Sequence, residues 1–450
     1  MKLAATLRLG SVLLVLTAVL FCLSSCGTNE ITETSGLTAE QTDATPVSPD
    51  PTRSSREPAD RPSESTEAAT SPEKEGLLAG FSFDNRIGGR DCNLAETDRA
   101  YYGCPFGGNY LYYFDKESKE GGIFCNRPEC MHNNLQCGAY VGYIANNSLS
   151  AWQGRLYFVS TIYDDPQKLP KYGLWSVAED GSDRRLHREL EPDEYGTQYK
   201  QLHKGNLFGI GYWDTVEAGA PVEKTVLYKL SLETGEKELL FIRDNTSSAS
   251  YDMKIRDDEV FVLLNLLGSD GRAVNELYCC NWKTGETTQL LNDTESGKRM
   301  DEFVVSSDGE LYLANWANSL PDGTKKAQLW QLKENQLVSL SAFELEEFYG
   351  WHLSSEIALA LYPQRFEDGS YRGCVKDYAG NTLYEGKLEM PSGIKVDLKQ
   401  GSIMQLLWGD QGSLIFELHS FWGSGVYYYL VRFDISGETA AGEILWEMKY

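Results

Sequence analysis

Apolar and polar positions alternate in short runs along residues 78–450, broken by glycine-bearing turns, and the pattern returns at intervals of about fifty residues. It is plainest in Leu149–Leu190, where Arg155–Thr161 and Tyr172–Ala178 are rich in Leu, Tyr, Phe, Val and Trp, as strands are. Gln153-Gly154 and Asp180-Gly181 flank them, with glycine supplying the positive φ of a tight turn. The first half of the unit, a turn followed by an apolar strand, returns as KGNLFGI (204–210), DDEVFVLL (257–264), DGELYLA (308–314) and QGSLIFEL (411–418), and more weakly as SSEIALAL (354–361). The second half, Leu with an aromatic and then a polar turn, returns as LYYFDKESKE (111–120), LYKLSLETGE (227–236), LYCCNWKTGE (277–286) and LWQLKENQ (329–336). Poorer copies lie at Tyr371–Tyr378 and in YYLVRFDISGE (428–438).

One such unit cannot bury both faces of its sheet, so neighbours must stack. Four strands in about fifty residues is propeller rather than solenoid spacing. The expectation is all-β: a single β-propeller of seven four-stranded blades. Six is the alternative if the first blade fails, because its inner strands would have to be Gly80–Asn85 and Arg99–Cys104. No helical period of useful length and no second linker interrupts residues 78–450, which read as one domain.

The N-terminal part changes the picture from a plain soluble domain. Met1–Cys26 has a basic start (Lys2, Arg8) and a short apolar core, Leu9–Leu23, too brief for a comfortable membrane span. Leu23-Ser24-Ser25-Cys26-Gly27 resembles a bacterial lipobox, which implies lipidation at Cys26 and a protein anchored on the extracytoplasmic face of the cell membrane. Residues 27–77 are built from Thr, Ser, Glu, Pro, Asp and Ala and cannot bury enough apolar surface to offset the entropy of ordering. A flexible tether of that length has an end-to-end distance of roughly 40 Å.

Net charge is −25, from 66 acidic and 41 basic residues. That argues against nucleic acid, whose phosphates need clustered Lys and Arg. It also disfavours adhesion to anionic lipid, leaving the anchor to hold the membrane. The chain is expected to be monomeric.

Ten cysteines are present. With Cys22 in the signal and Cys26 lipidated, three of the rest lie in FCNRPECMHNNLQC, giving Cys125-x4-Cys130-x-His132-x4-Cys137. Disulfides are the simpler reading in an oxidising compartment, with Cys92 and Cys104 near enough in sequence to join in. The alternative is a zinc site of Cys125, Cys130, His132 and Cys137, four soft or borderline ligands able to wrap one tetrahedral ion. Cys279-Cys280 falls in an apparent strand, where adjacent side chains face opposite ways, so two separate thiols are expected there.

On this spacing and this cysteine cluster, residues 78–450 resemble the TolB-like and related propeller domains of uncharacterised Gram-positive envelope lipoproteins. The resemblance implies the fold and no established activity.

In such blades the second and third strands are joined on one face, and there the connections read as long and uneven: 162–171, 212–224, 314–326, 362–370 and 419–425. Uneven loops on a rigid scaffold are where function concentrates. They carry Tyr163, Asp164, Asp165, Trp213, Asp214, Trp316, Arg365 and Trp422, aromatics beside charges, suited to stacking on sugar rings or anchoring a peptide. The cysteine loop is expected to open on the same face. G-x-S-x-G, H-E-x-x-H, phosphate-loop and dinucleotide fingerprints are absent, and the five histidines come without local triad partners. The reading is therefore a non-catalytic binding or scaffold protein for a glycan, peptide or envelope partner. The alternative is an extracytoplasmic enzyme on a propeller scaffold, either a carbohydrate-active hydrolase or lyase or a quinone-dependent oxidoreductase.

Overall fold

The computed structural model describes residues 93–449 except 106–107, 133–136, 143, 146–147, 163–170, 192–193, 195–198, 218–219, 246–248, 268–270, 298–299, 316–325, 344, 347–350, 396–401 and 423–424. The signal segment with Cys26, the tether, Gly80–Asn85 and Cys92 lie outside the described residues. All described residues belong to one compact unit.

Seven four-stranded antiparallel units follow one another along the chain. The first holds β1 (Leu94–Glu96), β2 (Ala100–Gly103), β3 (Tyr112–Asp115) and β4 (Gly121–Ile123). The second holds β5 (Ser150–Trp152), β6 (Arg155–Ile162), β7 (Lys171–Ala178) and β8 (Arg185–Glu189). The third holds β9 (Tyr199–His203), β10 (Asn206–Glu217), β11 (Ala220–Ser231) and β12 (Lys237–Asn245). The fourth holds β13 (Ala249–Arg256), β14 (Glu259–Leu267), β15 (Ala273–Asn281) and β16 (Thr287–Gly297). The fifth holds β17 (Glu302–Val305), β18 (Leu311–Asn315), β19 (Lys326–Lys333) and β20 (Gln336–Ser339), with β21 (Leu345–Glu346) added beside β19. The sixth holds β22 (Trp351–Leu353), β23 (Ile357–Arg365), β24 (Tyr371–Asp377) and β25 (Thr382–Glu389). The seventh holds β26 (Ser402–Gly409), β27 (Ser413–Trp422), β28 (Gly425–Asp434) and β29 (Ala440–Lys449). The protein is an all-β propeller, and every repeat of the second sequence marker forms the third strand of a blade.

The turns follow from local sequence. Gln153 (φ 48°) with Gly154 (φ 71°), and Lys204 (φ 45°) with Gly205 (φ 73°), each place two residues in the left-handed region, the geometry that suits the twist of a hairpin. Gly205 is also needed sterically, since a Cβ there would lie 2.8 Å from the Trp152 indole of the preceding blade.

The first blade departs from expectation. Its innermost strand is Leu94–Glu96, not Gly80–Asn85, and it pairs with β2 across a tight turn. The hydroxyl of Thr97 accepts hydrogen bonds from the N–H groups of Arg99 and Ala100, closing that turn locally.

Burial explains the strand sequences. β14, second in its blade, is buried at every position but its ends, because both faces meet a neighbouring blade. β8, outermost in its blade, is largely exposed. Seven apolar clusters fill the seven blade interfaces, including one between the first and last: Leu94, Tyr101 and Tyr112 against Leu430, Leu445 and Trp446. Among the described residues the ring therefore closes by side-chain packing, each blade being built from consecutive strands. At this seam a Cβ on Gly103 would lie 2.5 Å from Cζ2 of Trp446, and one on Gly121 2.7 Å from the Leu445 carbonyl oxygen. The last two blades are further joined by a parallel pairing of Leu388 with Ala440 and Glu389 with Ala441.

Candidate functional site

The connection from β4 to β5 carries the cysteine cluster, and the fold draws it together. The ligand atoms of Cys125, Cys130, His132 and Cys137 all lie within 4.8 Å of one another, with His132 Nδ1 3.4 Å from Cys137 Sγ. Cys137 is buried in the cluster between the first two blades, and Cys125 and Cys130 pack against it half-buried. His132 reaches the group from a left-handed backbone position, φ 52°.

Burial works against the Cys125 thiolate. The N–H groups of Arg127 and Gly138 and the thiols of Cys137 and Cys130 outweigh it and hold that pKa below the usual thiol range. Burial pushes the Cys137 thiol up, to about 11, with the neighbouring thiols adding to the shift. The arrangement can take a soft cation in place of the shared protons.

No disulfide joins the seven described cysteines, so the expected staple is not formed among them. The loop also opens elsewhere than expected. A Cβ on Gly181, in the β7–β8 turn, would lie 3.3 Å from the Asn126 nitrogen, and one on Gly138 would lie 3.5 Å from the Gly181 carbonyl. That turn is at the opposite end of the blade from the β6–β7 connection. The cluster is thus lodged against the second blade, because β4 has only three residues and releases the chain early.

The connections expected to form an uneven loop face are partly strand. β10 and β11 pair without a break from Asn206↔Ser231 to Glu217↔Ala220, placing Trp213 opposite Lys224 and Asp214 opposite Glu223. β23 runs to Arg365, which pairs with Tyr371, and β27 and β28 pair out to Trp422↔Gly425. The reason is in the sequence: strand-favouring Tyr212, Trp213, Thr215, Val216, Val222 and Thr225 continue through YWDTVE and PVEKT, which a reading focused on their polarity takes for loop. The side chains of Trp213, Asp214, Arg365 and Trp422 are outside the described residues, as are Tyr163, Asp164, Asp165 and Trp316 altogether. What the backbone brings together is a set of hairpins of unequal length at one end of the blades.

Elsewhere, charged groups of the inner strands engage one another. Lys254 Nζ lies 3.5 Å from Asp252 Oδ2, and Glu302 accepts from the Leu353 N–H while meeting His352 Nδ1 at 3.3 Å. At the seam, a small cleft is lined by Asn93, Cys104, Glu417, Tyr428 and Trp446 among others. Burial drives the Cys104 thiol far above its ordinary pKa, which keeps it protonated and a poor nucleophile. Cys279 and Cys280 are two free thiols, as expected, one in the interface with the fifth blade and the other in that with the third.

No protein-family model and no curated protein matches the chain. Solved structures do. The Pyrococcus horikoshii acylaminoacyl peptidase is similar at 11% identity and a TM-score of 0.45, over 80% of this chain and 54% of the peptidase, so the chain spans about half of that enzyme's length. The β-propeller domain of the Trilobed protease from Pyrococcus furiosus is similar at 10% identity and a TM-score of 0.37, over 68% of this chain and 97% of that domain. The Niastella koreensis GH74 enzyme is similar at 12% identity and a TM-score of 0.44, over 80% and 55% respectively. At such identities the likeness concerns the propeller fold alone.

Proposed function

We propose that this protein is a lipid-anchored extracytoplasmic propeller, held by Cys26, that binds a glycan, peptide or envelope partner without transforming it. The observation behind this reading is the set of unequal hairpins at one end of the blades, above all the 12-residue strands β10 and β11. Such hairpins present backbone and side chains on a rigid base, with little ordering entropy left to lose on binding. On the inner strands Lys254 meets Asp252 and His352 meets Glu302.

The test uses the full chain in detergent on arrays of cell-wall glycans and peptides. Saturable binding, lost when residues 213–222 are replaced by an Asn-Gly turn, is the expected result. Release of a cleaved product from any bound ligand overturns the non-catalytic reading in favour of the enzyme. A Cys26→Ala variant that stays in the membrane fraction after high-salt washing overturns the anchor.

A further inference from the structure

We propose that Cys125, Cys130, His132 and Cys137 bind one zinc ion as a closed structural site that pins the connection from the first blade to the second. The inference is independent of what the hairpin face binds.

Donor chemistry comes first. Three thiols and one imidazole are a zinc set, too soft for calcium or magnesium, which take oxygen ligands. Geometry agrees. Around a tetrahedral zinc, with bonds of about 2.3 Å to sulfur and 2.0 Å to nitrogen, sulfur and nitrogen ligands stand roughly 3.6 Å apart and two sulfurs roughly 3.8 Å. Here His132 Nδ1 and Cys137 Sγ are 3.4 Å apart, and all four donors fall within 4.8 Å.

The surroundings suit the charge of the filled site. Three thiolates, a neutral imidazole and Zn²⁺ sum to minus one. The Arg127 and Gly138 N–H groups face the Cys125 sulfur, and the Ala139 N–H faces that of Cys137. Arg184, a buried guanidinium close enough to Cys137 to interact with it electrostatically, supplies the balancing positive charge. It is held there by the Trp175 ring, 4.5 Å from its Cζ, and by donating to the Tyr140 carbonyl. A buried anion with N–H donors and a fixed counter-charge is tolerable; without them it is costly.

Four protein ligands leave no open position, so the ion holds structure rather than activating water. What it holds is the long connection between Ile123 and Ser150, whose remaining ties include the bridges Tyr110↔Tyr140 and Ile144↔Ser160.

The experiment is metal analysis of the full chain, purified in mild detergent without chelator or added thiol. One zinc per chain is expected, falling below a tenth in Cys130→Ser and in His132→Ala, and unchanged in Cys279→Ser. Because the cluster variants could misfold, the wild-type chain supplies a second readout. Cys125, Cys130 and Cys137 should resist alkylation until a chelator is added, and Co²⁺ exchanged for zinc should give the intense visible absorption of a tetrahedral thiolate complex. Less than a tenth of a zinc per chain with a disulfide mapped among these cysteines overturns the proposal. So does zinc retained by both cluster variants, or copper or iron in its place.

Discussion

Gly103→Ala is the sharpest test of how the ring closes. The added Cβ would stand 2.5 Å from Cζ2 and 2.7 Å from Cη2 of Trp446, where carbon atoms settle at about 3.5–4.0 Å, so the indole must retreat by roughly 1 Å. Trp446 has little room to do so: it stacks on Tyr112, with centroids 6.4 Å apart and planes at 28°, within the cluster joining the first and last blades. Forced overpacking of this kind costs about 1–3 kcal/mol. The control is Gly122→Ala two blade strands away, where a Cβ meets nothing within 4 Å and the effect should be neutral or a gain of a few tenths of a kcal/mol. Unfolding in urea, followed by Trp fluorescence and far-UV circular dichroism, measures both. A Trp446→Leu background supplies the decisive comparison. Once the indole is gone, the Gly103→Ala penalty should shrink to within about 0.5 kcal/mol, giving a coupling close to the whole single-mutant effect. If the two changes simply add, the indole does not occupy the hollow and the account of the seam fails.

Other outcomes follow from groups already described. Lys200 is held by desolvation at a pKa of about 7 against 10.5, so the folded state disfavours its charge. Stability should then rise as pH goes from 7 towards 10.5, and Lys200→Met should stabilise by about 2–4 kcal/mol at pH 7, with the gain fading across that window in urea titrations. Arg243 grips Glu276 with Nε at 2.6 Å and Nη2 at 2.7 Å across the third and fourth blades. Arg243→Lys loses the two-pronged contact and should cost about 1–2 kcal/mol by the same assay. Burial raises the thiols of Cys279 and Cys374 to about 12 and 11, so at pH 8 both should be alkylated only after unfolding, as read by peptide mass spectrometry.

The fold was legible because its signal is local and repeated. Most third strands carry an apolar–aromatic start and a polar turn, and several of the preceding hairpins place residues at positive φ, as at Gln153-Gly154 and Lys204-Gly205. Where the signal weakened, the reading slipped. Leu94–Glu96 is too short to show alternation, and the Thr97 hydroxyl that folds it onto β2 leaves no periodic trace. YWDTVE was misread because its strand-favouring Tyr, Trp, Thr and Val are mixed with acidic residues, out of register with any strict alternation. The cysteine spacing named four residues whose donor atoms the fold gathers within 4.8 Å, and it put disulfide ahead of the metal proposed above. That choice depends on where the β7–β8 turn and Arg184 sit, some fifty residues downstream. The eight residues proposed for ligand contact came from the loop reading: four fall on strand backbone and four outside the described residues, so their roles rest with the binding assay.

The all-packing seam also has a consequence for how the chain is made. The final strand, Ala440–Lys449, supplies Trp446 to the first blade and hydrogen bonds to the sixth. Six blades can stack in order as the chain emerges, yet until β29 is in place the first blade has one bare flank. The ring is thus shut by a clasp, and the nascent protein is most exposed to proteases and chaperones while that clasp is open. Deleting Ala440–Lys449 alone would leave the other strands in place and the ring open.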